Sequence, residues 1–281
     1  MPLIVGTLVA RRDRGERIAL AAALSLLGWL PGARAAVGTT RIEPHTEAAF
    51  QTYVKVRETA LERRTQGSSF LWCAERAERL TALRRSGVVI EPAREKAVTR
   101  INDGLVHDWI GATFIPGATL ARTLGFLQNY DNHKKVYAPE VADSKLLAHD
   151  GDRYRVFLRL RKHKIVTVVL NTEYDINYWR LSATRAWSRS YSTRIAEVED
   201  PGTSSEKEMP PGDDHGFLWR LNSYWRFEER DGGTYVECEA ISLSRDVPML
   251  LSGLIMPIVK ELPEESLRKT LQATRNALTA R

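Results

Sequence analysis

The side chains best suited to acid–base or metal chemistry are six histidines: His45, His107, His133, His149, His163 and His215. None falls in an H-x-x-x-H or H-E-x-x-H pattern, so spacing assembles no metal site. Cys73 and Cys238 are the two cysteines and form no C-x-x-C pair, which gives zinc or thioredoxin-like chemistry no support. His107-Asp108 in "VHDW" sets a base beside a carboxylate. Neighbours in a strand point to opposite faces, so the two would not meet, and His107 reads as a hydrogen-bonded structural histidine. His215 follows Asp213-Asp214 in a loop, where solvation is expected. Ser188, Ser190 and Ser192 share one strand face by period two. Such a hydroxyl row suits either a ligand's polar head or an exposed face. No nucleophile elbow, P-loop or Rossmann glycine pattern occurs. Accordingly no catalytic residue, metal ligand or cofactor is assigned.

A binding site is the better prospect. "LNSYWRFEERDGGTYVECEA", 221–240, reads as a β-hairpin turning at Asp231-Gly232. That turn sets Trp225 opposite Cys238 and Arg226 opposite Glu237. One face, with Asn222, Tyr224, Arg226 and Glu228 against Tyr235, Glu237 and Glu239, suits water. The inward face sets Leu221, Ser223, Trp225 and Phe227 beside Val236, Cys238, Ala240 and Ser242. Large aromatics on one strand thus adjoin a row of small residues on the next. Either another element fills the space above that row as a solid core, or an apolar molecule does.

The elements that must position this face are legible from periodicity. A helix is expected over His45 to Arg64, with Ala49, Tyr53, Val56 and Ala60 on a stripe. A second, basic helix over Phe70 to Arg85 has a solvated face. "GVVIEP" and "GLVHDWIGATFIPG" are strands. "ATLARTLGFLQNY" is a helix striped by Leu120, Leu124 and Leu127. "DNHKKVYAPEV" is a short helix that Pro139 stops. "RYRVFLRLRKHKIVTVVL" is a hairpin turning near Lys162-His163, with Tyr154, Val156, Leu158 and Leu160 facing the same way as Ile165, Thr167 and Val169. Arg155 and Arg159 take its other face. Trp187 to Glu199 is a strand, and "DPGTSSEKEMPPGDD" a polar loop. The last helix begins after Pro263, where Glu264 and Glu265 favour its N-terminus. Its buried stripe is Leu267, Leu271, Thr274 and Leu278. "PMLLSGLIMPIV", 248–259, precedes it. This apolar run is too short to span a bilayer and reads as a buried linker or a lid that touches membrane.

Composition is that of an ordinary globular chain: 281 residues, 43 % apolar and 27 % charged, with net charge +6. Half of that charge lies in the first 36 residues, where five arginines outweigh Asp13 and Glu16. Those residues resemble an export leader. A basic stretch enters the uncharged "IALAAALSLLGWL", and Ala33 and Ala35 form an A-x-A cleavage arrangement. The protein is therefore expected to be exported, periplasmic or secreted, with cleavage near Ala35. The modest remaining charge, with no interleaved basic and aromatic residues, argues against nucleic acid as a partner. Both cysteines are expected to be buried thiols, with Cys238 on the inward face.

From Gly104 the order is strand, two helices, about six antiparallel strands and one long helix. "FIPGATLARTLGFLQNYDNHKKVYAPEVADSKLL" is the most specific stretch. This order resembles the START-like superfamily, also called SRPBCC or helix-grip, which includes polyketide cyclases and lipid-transport proteins. The resemblance implies an α+β fold in which a curved antiparallel sheet grips the C-terminal helix. The division expected is a signal peptide over 1–35, a helical N-terminal extension over 36–103 and a START-like domain over 104–281. It also implies an apolar cavity between sheet and helix. Leu221, Ser223, Trp225, Phe227, Val236, Cys238, Ala240, Ser242, Leu267 and Leu271 would line it. The partner would be a hydrophobic small molecule, a lipid or isoprenoid-like compound. A cyclase- or aromatase-like enzyme using the same cavity is the alternative, and none of that group's catalytic residues carries over to this chain.

Overall fold

The computed structural model describes residues 38–67, 69–163, 167–246 and 249–280. The expected export leader lies outside them. Residues 39–281 form one compact unit.

The hairpin that opens the functional argument folds as its turn dictates. Asp231 and Gly232 both take positive φ, 55° and 76°. Such a pair matches the twist of the flanking strands. It locks Arg220–Arg230 (β8) to Gly233–Arg245 (β9), with Trp225 opposite Cys238 and Arg226 opposite Glu237.

Among the described residues the main sheet has eight further strands: the two-residue Lys207–Glu208, which pairs with the end of β7, and β1 (Val88–Pro92), β2 (Val98–Ile101), β3 (Gly104–Pro116), β4 (Val141–Asp150), β5 (Arg153–His163), β6 (Thr167–Arg180) and β7 (Arg185–Glu199). Their order is β1-β3-β9-β8-β7-β6-β5-β4, antiparallel throughout, with β2 also paired to β3. Register shifts interrupt the β4–β5 and β6–β7 ladders. Bulges of this kind bend strands and increase twist.

Among the described residues five α-helices accompany the sheet: α1 (Pro44–Gln66), α2 (Ala77–Ser86), α3 (Leu120–Leu127), α4 (His133–Val136) and α5 (Met249–Thr279). On the concave face Leu267, Leu271 and Leu278 of α5 pack with Ile115, Phe227, Val236 and Cys238. The leucine stripe of α3 joins the same core. This is the expected α+β helix-grip architecture. Gly111 lets α5 approach the sheet closely. A Cβ there would stand 2.8 Å from both Ile90 Cγ1 and Leu271 Cδ1. Cys73 and Cys238 are buried free thiols on opposite faces.

Several expectations are corrected. The hairpin face expected to meet water is covered by α1. Phe50, Val54 and Leu61 pack there against Val106, Tyr224, Ile241 and Leu243. The α1 stripe is therefore shifted from the expected one, and Val56 is 57 % exposed. The charges that look solvated pair with each other under the helix, which hides them from a hydropathy pattern. The basic segment from Phe70 is a 3₁₀ turn at Trp72–Glu75 followed by α2. Its Arg79 is buried, pairing with Glu91 and lying 3.8 Å over the Trp72 ring. In the β5–β6 hairpin Lys162 and His163 are strand residues paired with Val168 and Thr167, so neither forms the turn. A slip of one residue reverses every side chain, and Val168, Leu170 and Thr172 are the residues that face with Leu160. Lys164 to Val166 lie outside the described residues. The last helix starts at Met249 rather than after Pro263. It continues across two prolines, each of which removes one backbone hydrogen bond. Before Gly104 the chain is not only helical, because β1 and β2 belong to the main sheet.

Candidate functional site

Strand parity fixes which side chains face α5. On β9 these are Val236, Cys238, Ala240 and Ser242, and on β8 Leu221, Ser223, Trp225 and Phe227. The ladders carry that face outward. Gly111, Trp109 and His107 of β3 lie beside Cys238, Ala240 and Ser242. Ala186, Ser188 and Ser190 of β7 lie beside Phe227, Trp225 and Ser223. Tyr178 and Ile176 of β6 follow, and then Tyr154 of β5.

Burial along this face is uneven. At the end under Leu271, Phe227, Val236 and Ile115 are 0 % exposed and Ala186 is 1 % exposed. Two to six residues further along the strands, Trp109, Ala240, Ser223 and Trp225 are only half-buried. The small side chains of Ala240 and Ser223 thus floor a trough. Trp109 and Trp225 flank it, the Trp225 and Phe227 rings lying stacked at 6.3 Å. Its far wall is aromatic: Tyr154 lies 5.4 Å from Tyr130 and 5.5 Å from Tyr178, ring to ring. Tyr130 and Tyr178 join their hydroxyls at 2.8 Å. A cleft of about 220 Å³ adjoins this wall, lined by Leu124, Gly125, Tyr178, Arg180 and Ala186 among others.

The ten residues expected to line a cavity divide into three groups. Phe227, Val236, Cys238, Leu267 and Leu271 close-pack in one core cluster. Leu221 packs instead with Phe217, Leu218 and Leu170 at the far end. Ser223, Trp225 and Ala240 face the trough, and Ser242, 6 % exposed, borders it. Sequence reading missed Trp109, Ile176, Tyr154 and Tyr178 as trough residues. Their signal was available: Trp109 keeps period two with Gly111 and Ile115, and so shares their face.

His107 and Asp108 point to opposite faces as expected. His107, 2 % exposed, meets Ser244 Oγ through Nε2 at 3.0 Å, and its Nδ1 has no partner. Burial lowers its pKa to about 4, so the imidazole is neutral. Asp108 joins an ionic layer beneath α1. Arg57 lies 3.2 Å from Asp108 and 2.8 Å from Glu239. Arg64 pairs with Glu237 at 2.5 Å. Arg226 donates to Leu61 O at 2.6 Å and to Thr65 Oγ1 at 3.1 Å. Burial, then the neighbouring Asp108, raises the Glu239 pKa to about 7. Burial also lowers Arg226 to about 10. His215 is not solvated: it is 8 % exposed and its Nδ1 lies 3.0 Å from Glu197. Burial there raises the adjoining Asp214 to about 6.

The serines of β7 lie on the concave face, Ser188 and Ser190 being buried. Ser192 Oγ accepts from Leu221 N at 3.0 Å, so that hydroxyl is occupied by the backbone. Among the described residues no helix is long and apolar enough to cross a membrane.

No family model matches the chain. No curated protein matches it either. Solved structures do. The STAR-related lipid transfer protein fragment from Xanthomonas axonopodis is similar at 16 % identity, covering 69 % of this chain and 99 % of that one, with TM-score 0.45. The Zhui aromatase/cyclase of Streptomyces sp. R1128 is similar at 14 % identity over 62 % of this chain and 92 % of its own, with TM-score 0.39. Human STARD10 is similar at 11 % identity over 71 % and 79 %, with TM-score 0.38. The likeness is one of general architecture, which the strand order and the gripped helix establish by themselves.

Proposed function

We propose that this protein binds a hydrophobic small molecule, a lipid or isoprenoid-like compound, between its sheet and α5. The observation that carries the proposal is the burial gradient on the concave face. A filled core would seal its centre. Here Ala240, Ser223, Trp109 and Trp225 stay half-buried at the centre, while residues nearer the β8–β9 turn are sealed. Ligand pockets are largely apolar concavities with a few polar groups, and this trough has that makeup. Residues 248–259 are proposed to touch membrane during exchange, and the leader over 1–35 to export the protein.

Native mass spectrometry of protein purified without detergent, followed by solvent extraction, tests the proposal. A stoichiometric hydrophobic adduct is expected. A ligand-free mass, together with no uptake from a panel of lipids and prenyl compounds, would refute it.

A cyclase- or aromatase-like enzyme is the second reading. It is favoured by one feature, the neutral His107 with an unoccupied ring nitrogen on the same face. Chemical conversion of a bound polyketide would establish it, and recovery of the compound unchanged would oppose it.

A further inference from the structure

Among the described residues three polar atoms on the concave face are buried without a hydrogen-bond partner: Tyr174 Oη on β6, and His107 Nδ1 and Trp109 Nε1 together on β3. Buried polar groups are normally paired, and an orphan marks a missing partner. His107 and Trp109 sit two apart on β3 and so share a face. Their cross-strand neighbours are the small Ser242 and Ala240.

The two β3 atoms differ in kind. An indole N–H only donates. The His107 tautomer follows from its other nitrogen. Ser244 Oγ directs its hydrogen to Arg245 O at 3.4 Å, so His107 Nε2 donates to Ser244 Oγ. Nδ1 is left as an acceptor. A group that satisfies both must donate to one and accept from the other.

We infer that the ligand carries a neutral hydroxyl group, held by His107 Nδ1 and Trp109 Nε1. The inference rests on the cavity reading above. The hydroxyl gives its hydrogen to Nδ1 and accepts the indole hydrogen. An ether or ketone accepts only. A carboxylate has no hydrogen to give, and a buried charge needs a counter-charge. The surrounding residues Ser242, Ala240, Ser223 and Ser190 offer none. An apolar alcohol is the class that fits.

The test is equilibrium dialysis of the detergent-free protein against prenyl compounds of three chain lengths. The C15 set is farnesol, its methyl ether and farnesoic acid, with matched C10 and C20 sets. The hydrogen bond that only the alcohol can donate to Nδ1 favours it by about tenfold over the ether and the acid. Trp109→Phe removes the donor and keeps most of the ring, and His107→Leu removes the acceptor. His107→Leu is expected to bring the alcohol-to-ether ratio to within about threefold of unity with ether affinity retained, whereas Trp109→Phe should weaken alcohol and ether together and leave their ratio unchanged. Because Trp109 Nε1 has no protein partner, Trp109→Phe should not lower the melting temperature of the empty protein. Alcohol, ether and acid binding alike in the wild type would overturn the inference and leave the cavity standing. So would an alcohol preference over the ether that survives His107→Leu. Retention of no compound of any length would overturn the cavity reading and this inference with it.

Discussion

Arg57 of α1 and Glu239 of β9 form a two-pronged ion pair, Nε and Nη2 meeting Oε1 at 3.0 and 2.8 Å, on a sheet face whose sequence looks made for water. The pair clamps the N-terminal helix to the convex side of the sheet, and Glu239 is 1 % exposed. Removing the cation leaves Glu239 and Asp108 together in a dry site. Arg57→Met is therefore expected to cost about 3–5 kcal/mol. Arg57→Met with Glu239→Met should lose clearly less than the two single losses added, because Glu239 is then no longer a buried unpaired charge and Asp108 alone lacks the Arg57 guanidinium. Urea denaturation of the four proteins measures this. Additive losses would mean that the pair contributes little.

The same pair sets a pH dependence. The Glu239 carboxyl is raised to about 7 by burial and by Asp108. Between the ordinary carboxylate value and about 7, the folded chain holds a proton that the unfolded chain has released. Stability contributed by that proton is present at low pH and is lost as pH rises through 7. His107 works in the opposite direction, being lowered to about 4 and so gaining stability as pH rises. The Glu239→Gln variant separates the two. The unfolding free-energy difference between Gln and wild type, from urea denaturation, should move in favour of Gln from pH 5 to pH 8, by at most about 1.4 kcal/mol per pH unit. A difference that does not change with pH would show that Glu239 titrates normally.

These charges also mark where sequence reading stops. The β8–β9 register was legible because Asp231-Gly232 admits one tight turn and the flanks alternate. The leucine stripes of α3 and α5 were legible because burial is their only plausible use. The α1 stripe was not. Arg57, Arg64, Glu237 and Glu239 each look solvated alone, and only their meeting across two layers makes burial tolerable. No local pattern encodes that meeting. The β5–β6 turn was misplaced because its strands have apolar residues on both faces. Period two cannot then choose a register. The site was half legible: the β8 and β9 residues came from one hairpin, whereas Trp109, Ile176 and Tyr154 join it through ladders far apart in sequence.

Gly111 offers a test of how closely α5 is held. Any side chain there meets Ile90 and Leu271 at 2.8 Å. Gly111→Ala should destabilise by about 1–3 kcal/mol through overpacking. Gly125 has open space around it, so Gly125→Ala on α3 should be neutral or stabilising through helix propensity. Thermal melts of both variants decide the matter. An unchanged melting temperature for Gly111→Ala would mean that the helix yields readily.

Ala240→Trp brings the argument back to the trough. Ala240 lies between Trp109 of β3 and Ser223 of β8 and is only half-buried. If the space above it is a cavity, an indole fits there and takes the ligand's place. Ligand uptake should then be abolished while the melting temperature falls by no more than a few degrees. If the space is filled by protein, the same indole overpacks the core and costs about 1–3 kcal/mol or more, with no ligand to displace. Cys238 is the control. It is two residues along the same face but sealed at 2 % exposure, so Cys238→Trp must overpack in either case. A cavity predicts that the two substitutions differ sharply in stability. Equal, severe losses would make this concave face a closed core and remove the structural basis for a bound ligand.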